Sequence, residues 1–91
     1  MSLSSAKATN EAEQDEALTE LRRAIAALHA QALVCQKLVT TCGAKTYAEK
    51  IDELVTETCR CEDAGLRVAR AGLEVKLYAE VQRTLREVER P

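Results

Sequence analysis

The chain has 91 residues and a net charge of −2, and it contains no Phe or Trp and only two Tyr. A chain of this length forms one small domain, and without large aromatic residues its core has to be built from Leu, Val, Ile and Ala. The near-neutral charge excludes a general electrostatic attraction to nucleic acid or to a membrane surface. Abundant Ala, Leu, Glu and Arg are typical of helices packed on helices, so we expect an all-α fold.

The sequence shows no membrane-spanning or secretory segment. Its longest strictly apolar run is Ala24–Leu28, whereas a helix needs about 20 such residues to cross a bilayer. The first residues lack the charged and apolar regions of a signal peptide. Four cysteines without such a signal indicate a reducing compartment, so we expect a cytoplasmic protein with free thiols.

The first helix is predicted over about residues 11–42. Residues 1–9 are expected to form a flexible N-terminus, and residues 10–91 a single helical-bundle domain. Asn10 with Glu13 matches the N-x-x-E capping pattern. No Gly or Pro interrupts residues 11–42, and apolar residues recur there at spacings of 3 and 4, as in a coiled-coil seam. This predicted seam consists of Leu18, Leu21, Ile25, Leu28, Ala32, Cys35, Val39 and Cys42.

A turn is predicted at residues 43–46. Gly43 suits a left-handed position just beyond the end of the first helix. Thr46 with Glu49 matches a second capping box, T-x-x-E. Because such a short connection sends the next helix back alongside the first, the sequence predicts an antiparallel helical hairpin.

The second helical region is predicted over about residues 47–90. Its apolar positions change phase between Cys59 and Gly65, which leaves two interpretations: a stutter in one long helix, which we favour, or a break near residues 62–65 that gives a three-helix bundle. Before the change the seam residues are Tyr47, Ile51, Leu54, Thr58 and Cys61. After it they are Leu66, Ala69, Leu73, Leu77, Val81, Thr84 and Val88.

Two glycines fall inside this second region, within the repeated pattern AGLxV. Gly65, Gly72 and Ala79 recur every seven residues and lie on one side of a helix. Glycine costs about 1 kcal/mol in a helix interior, so its repetition either allows another helix to approach closely or is simply tolerated.

Charged residues are distributed as an antiparallel hairpin requires. A turn near residues 44 and 45 places the acidic segment of residues 11–20 opposite Arg67, Arg70 and Lys76. Opposite signs therefore meet across the hairpin, although each exposed pair contributes only about 0.2–1 kcal/mol.

The four cysteines are not spaced as metal ligands. Cys59 and Cys61 point about 200° apart on a helix and cannot chelate one ion together. Cys35 and Cys42, like Cys61, occupy seam positions, where a thiol acts as a small apolar group. The same register predicts that no cysteine meets another within the chain. Cys59 lies off the seam beside Arg60, so it is the candidate reactive thiol.

Catalytic chemistry lacks its usual components in this sequence. His29 is the only histidine, and no second one is available for a triad or a metal cluster. The carboxylates of residues 15–20 are typical of a solvated face, and the arginines at 83, 86 and 90 are diluted by glutamates. We therefore expect no enzyme, no catalytic or cofactor-binding residue, no metal site and no cofactor.

An isolated hairpin cannot bury both sides of each helix, which indicates a non-enzymatic protein–protein interaction module: an adaptor, scaffold or small chaperone. We expect coiled-coil-like packing in a homodimer or a complex with a partner helix, with neither nucleic acid nor membrane as partner. The alternative is a thiol-dependent function, metal sequestration or a redox-regulated dimer, through Cys59 and Cys61. The candidate interaction surface consists of Leu66, Leu73, Leu77, Val81, Leu85 and Val88.

Two families resemble this chain in organisation. WXG100 secreted proteins resemble it in length and hairpin layout, but Thr41-Cys42-Gly43-Ala44 stands here in place of their W-x-G turn. The segment Cys42–Tyr47 is similar to the turn and following tyrosine in the small cochaperones of type III secretion needle subunits. The second resemblance implies a secretion-system cochaperone as a further alternative, and neither assigns a role to any residue.

Overall fold

The structure, a computed structural model, describes residues 2–43 and 45–89 and consists of two long antiparallel helices. Helix α1 runs from Leu3 to Thr41 and helix α2 from Tyr47 to Glu89, and together they form a rod 71 Å long. The predicted all-α helical hairpin is therefore confirmed. Because α2 continues without a break through residues 62–65, the described chain has two helices and is not a three-helix bundle. Met1, Ala44 of the predicted turn, Arg90 at the predicted end of the second helical region and Pro91 lie outside the described residues.

Helix α1 begins eight residues earlier than predicted. Ser2 is the N-cap, and its hydroxyl accepts a hydrogen bond from the Ser5 amide at 3.1 Å. Asn10 is therefore not a cap. It lies inside the helix with only 6% of its surface exposed, and most of the segment assigned to the N-terminus is helical. The flexibility of residues 1–9 stays a prediction.

The turn is closed by a side chain rather than by a left-handed glycine. No described residue has a positive φ, so Gly43 does not adopt the predicted conformation. The Thr46 hydroxyl accepts a hydrogen bond from the Gly43 amide at 3.0 Å and donates one to the Gly43 carbonyl at 3.3 Å. The predicted capping box is thus replaced by a hydroxyl that faces back into the turn.

Only half of the predicted seam residues lie on the face of α1 that contacts α2. Buried and half-buried residues recur at heptad positions that we call a (Gln14, Leu21, Leu28, Cys35, Cys42) and d (Asn10, Ala17, Ala24, Gln31, Leu38). Four residues of the a row, Leu21, Leu28, Cys35 and Cys42, agree with the prediction, whereas Gln14 was not part of it. The other four predicted residues, Leu18, Ile25, Ala32 and Val39, each follow a d residue and lie beside the contact at position e.

Helix α2 keeps one heptad register from end to end, so the predicted change of phase is wrong. Its a row is Leu54, Cys61, Val68, Val75 and Gln82, and its d row is Glu57, Ala64, Ala71, Tyr78 and Leu85. The residues predicted after the phase change, from Leu66 to Val88, lie outside this contact. They are apolar except Thr84, but they do not face α1.

Alanines form the most buried part of the contact. Ala17 and Ala71 are 5% exposed and Ala24 is fully buried, whereas no large side chain among the described residues is fully buried. Small side chains let two helix backbones come close together, because the distance between packed helices depends on the residues between them. The hairpin therefore has a thin core that runs along its length.

Side-chain amides fix the register at both ends of this alanine segment. Asn10 Nδ2 donates a hydrogen bond to the Tyr78 carbonyl at 3.2 Å, and Gln31 Nε2 donates one to the Glu57 carbonyl at 3.1 Å. The two donors are 21 residues apart, and so are the two acceptors. Equal spacing of three heptads on both helices keeps a single antiparallel register over the whole length between them.

Replacing Ala24 with Leu is expected to lower the free energy of unfolding by about 1–3 kcal/mol, because the larger side chain forces the helices apart at a fully buried position. Urea unfolding followed by circular dichroism measures the change. The control is Ala26→Leu, which enlarges an exposed alanine two residues away and should change stability little. Equal effects of the two substitutions would contradict the proposed alanine contact.

Gln82 is a buried polar residue in the contact between the two helices. It is 6% exposed, and its Oε1 is buried without a hydrogen-bond partner among the described residues. Met has a similar shape and no polar atom to desolvate, so Gln82→Met should raise the free energy of unfolding by about 1–2 kcal/mol. The same change at exposed Gln36 serves as the control, and a loss of stability at position 82 would show that the amide is needed there.

Candidate interaction surface

One edge of the helix contact is lined by charged residues. In heptad notation, the residue immediately before each a position is called g. In an antiparallel pair of helices, the g residues of both helices lie along the same edge of the contact. Glu20 and Arg67 occupy g on α1 and α2, and their side chains form an ion pair at 2.8 Å. This pair agrees with the predicted match between the acidic segment of α1 and the basic residues of α2. The charged residues of this edge are Glu13, Glu20, Glu53, Arg60, Arg67 and Glu74, and its other g positions hold Ala6, Ala27, Val34, Thr41, Val81 and Val88.

The opposite edge of the same contact carries no charge over most of its length. It is formed by the two e rows, which in a two-stranded coiled coil are usually charged like the g rows. Glu11 and Arg86 close it at the open end of the hairpin. We call the intervening residues the uncharged edge: Leu18, Ile25, Ala32 and Val39 of α1 with Ile51, Thr58, Gly65, Gly72 and Ala79 of α2.

The two glycines of the uncharged edge face open space. No described atom outside the local helix lies within 4 Å of a Cβ built at Gly65 or at Gly72. Helix α1 therefore does not require glycine at either position. The close approach of another helix, one of the two explanations for the AGLxV repeat, is not supplied within the chain.

The turn-proximal half of α1 is apolar on almost every side. No Asp, Glu, Lys or Arg occurs between Arg23 and Lys37. Yet Ile25, Leu33 and Val34 remain 50%, 52% and 48% exposed, since α2 covers only one face. A helix segment that is apolar all round is normally buried all round.

The candidate surface predicted on α2 is largely accessible. Five of its six residues are exposed, from 41% at Val81 to 68% at Leu73. The sixth, Leu85, belongs to the d row and is half-buried against α1, so it is not part of an outer surface. We call the remaining five residues the outer stripe: Leu66, Leu73, Leu77, Val81 and Val88.

Two of the four cysteines meet across the hairpin, contrary to the prediction. Cys35 Sγ donates a hydrogen bond to the Glu57 carbonyl at 3.2 Å. That carbonyl lies one turn before Cys61, and helical side chains lean toward the preceding turn, so the Cys61 thiol lies over the same place. Desolvation raises the pKa of the Cys61 thiol, and the nearby Cys35 raises it further.

Cys59 points away from this pair. It is exposed, whereas Cys61 is half-buried against α1, so the two residues of the C-x-C sequence face different surroundings. Among residues 2–43 and 45–89, no three His, Cys, Asp or Glu side chains converge as a metal site would require. Neither α1 nor α2, as far as they are described, contains a stretch long and apolar enough to cross a membrane.

Comparison with known proteins adds no assignment. No protein family, no curated protein and no solved structure matches this chain significantly.

Cys59 is expected to react faster than Cys61 with iodoacetamide at mildly alkaline pH. Its thiol is exposed, while the raised pKa of Cys61 leaves less of the reactive thiolate. Pulsed alkylation with mass spectrometry measures both rates in one sample. Cys35→Ala removes the neighbouring sulfur and should accelerate Cys61 while leaving Cys59 unchanged. Faster reaction at Cys61 than at Cys59 in the parent protein would show that the thiol environments are misassigned.

Proposed function

We propose that this protein is a non-enzymatic, self-associating helical interaction module that works as an adaptor, scaffold or small chaperone in the reducing cytoplasm. The observation that carries the proposal is the large apolar surface that the hairpin leaves uncovered. Among the described residues, twelve large apolar side chains are more than a third exposed, while the buried hydrophobic core consists of three alanines.

The total accessible surface supports the same conclusion. The chain exposes 6851 Å², whereas a compact monomer of 10.0 kDa exposes about 5,200 Å². The excess of about 1,600 Å² exceeds the roughly 800 Å² that each partner contributes to a standard protein–protein interface. A second helical surface can therefore cover a standard interface area on this hairpin.

The thin core also explains why association would stabilise the fold. Hairpin formation buries a row of alanines and half-buries the larger side chains, so much of the available apolar burial is not yet realised. Covering exposed Leu, Ile and Val side chains with a second helical pair supplies the missing burial, as in a four-helix bundle.

Self-association predicts a melting temperature that rises with protein concentration, because a partner that binds only the folded state stabilises it by mass action. Sedimentation velocity and thermal melts on reduced protein, over about a hundredfold range of concentration, measure mass and stability together. We expect a dimer at the upper end and a rising melting temperature. A monomer whose melting temperature stays constant over the whole range would contradict the proposal.

A further inference from the structure

We propose that a second copy of this chain docks on the uncharged edge, with each α1 packed against the other copy's α2 and with both turns at the same end. This inference rests on the proposed function and specifies its interface. It assigns the face, the occupant and the relative orientation of the two hairpins.

The heptad pattern selects this face. A two-stranded coiled coil needs apolar residues only at a and d, whereas a helix in a larger bundle has a third apolar row at e or g. Here six of the twelve g positions of the two helices are charged, and two of these residues, Glu20 and Arg67, form an ion pair. The e rows are uncharged from Leu18 to Val39 and from Ile51 to Ala79. The third row of both helices therefore lies on one side of the hairpin.

Residue size along the uncharged edge favours a mixed pairing of helices. The e row of α1 carries Leu18 and Ile25, and at the same heights the e row of α2 carries Gly72 and Gly65. Packing α1 on the other copy's α2 puts large side chains over glycines that have open space above them. Packing like helices together would instead set bulky rows against each other and glycines against glycines.

Charges at the rim of this face favour the same arrangement. With both turns at one end, Asp15 of one copy is level with Lys76 of the other. With the turns at opposite ends, α1 would lie antiparallel to its own copy. Arg22, the midpoint of Leu3–Thr41, would then lie beside its symmetry mate. Like charges held together oppose association.

The decisive variant is Gly65→Leu with Gly72→Leu. In an isolated hairpin both side chains enter open space, and Leu is a much better helix former than Gly, so helicity should be kept or increased. In the proposed dimer each Leu enters a packed helix contact, four times per dimer. The dimer dissociation constant, from sedimentation equilibrium, should rise at least about a hundredfold.

The matched control changes the adjacent residues, Leu66→Gln with Leu73→Gln. These side chains belong to the outer stripe and lie on a different face of the same helical turns. The dissociation constant of this variant should stay within about threefold of the parent value. A dimer that is lost with the outer-stripe variant and kept with the glycine variant would overturn the proposal and make the outer stripe the interface.

Orientation is tested by the distance between spin labels at the turn. Lys45→Cys is labelled in a background of Cys35→Ala, Cys42→Ala, Cys59→Ser and Cys61→Ala, whose helicity and dissociation constant are first matched to the parent protein. Turns at the same end place the two labels within about 40 Å, a few helix diameters apart. Turns at opposite ends separate them by nearly the 71 Å length of the rod, which would overturn the proposed orientation.

These outcomes separate the inference from the function on which it rests. A parent protein that stays monomeric at all concentrations overturns both. A dimer that tolerates leucine at both glycine positions overturns the docking face alone and leaves self-association intact.

Discussion

The hairpin depends on two hydrogen bonds in which a side-chain amide of α1 reaches a backbone carbonyl of α2. Asn10 and Gln31 supply the donors, Tyr78 and Glu57 the acceptors, and the spacing of three heptads is the same on both helices. Apolar contacts alone tolerate sliding by a heptad, because one alanine layer resembles the next. A directional bond at each end removes that freedom, in the way that a buried polar residue fixes the register of a coiled coil. The two helices can therefore pack through a thin alanine core and still adopt a single register.

This constraint determines which residues are left outside. Once Ala17 and Ala24 face α2, the neighbouring Leu18 and Ile25 are forced to the side of the contact. The chain therefore places its smallest residues in the hairpin core and many of its larger aliphatic residues at the edge or on the outside. An isolated pair of helices gains little from this distribution, because most of the apolar area stays in water. In a bundle of four helices both groups of residues contribute to stability. The small residues let the two helices of each hairpin pack closely, and the large aliphatic residues fill the space between the two hairpins.

The sequence predicted the two helices, the turn and the antiparallel pairing, since these follow from local signals: the absence of Gly and Pro through α1 and a short glycine-containing connection. It did not predict the contact face. The spacing of 3 and 4 fits both Ala17/Ala24 and Leu18/Ile25, and hydrophobicity alone favours the larger pair. The available signal was alanine at both members of a seven-residue spacing on each helix, Ala17 and Ala24 with Ala64 and Ala71. The predicted change of phase in α2 arose in the same way. Large apolar residues that lie outside the helix contact, from Leu66 to Val88, were assigned to the contact.

The cysteine pair shows that side-chain direction, and not backbone register alone, decides which residues meet across the hairpin. A turn near residues 44 and 45 places the backbone of Cys35 nearly level with that of Leu54. Helical side chains lean toward the N-terminus, however, and in an antiparallel pair the two leanings converge. Cys35 leans along α1 away from the turn, and Cys61 leans along α2 toward it, so residues more than one turn apart in height meet between the helices. Their proximity is a consequence of antiparallel packing in general, and any long side chain at these two positions would be brought together in the same way.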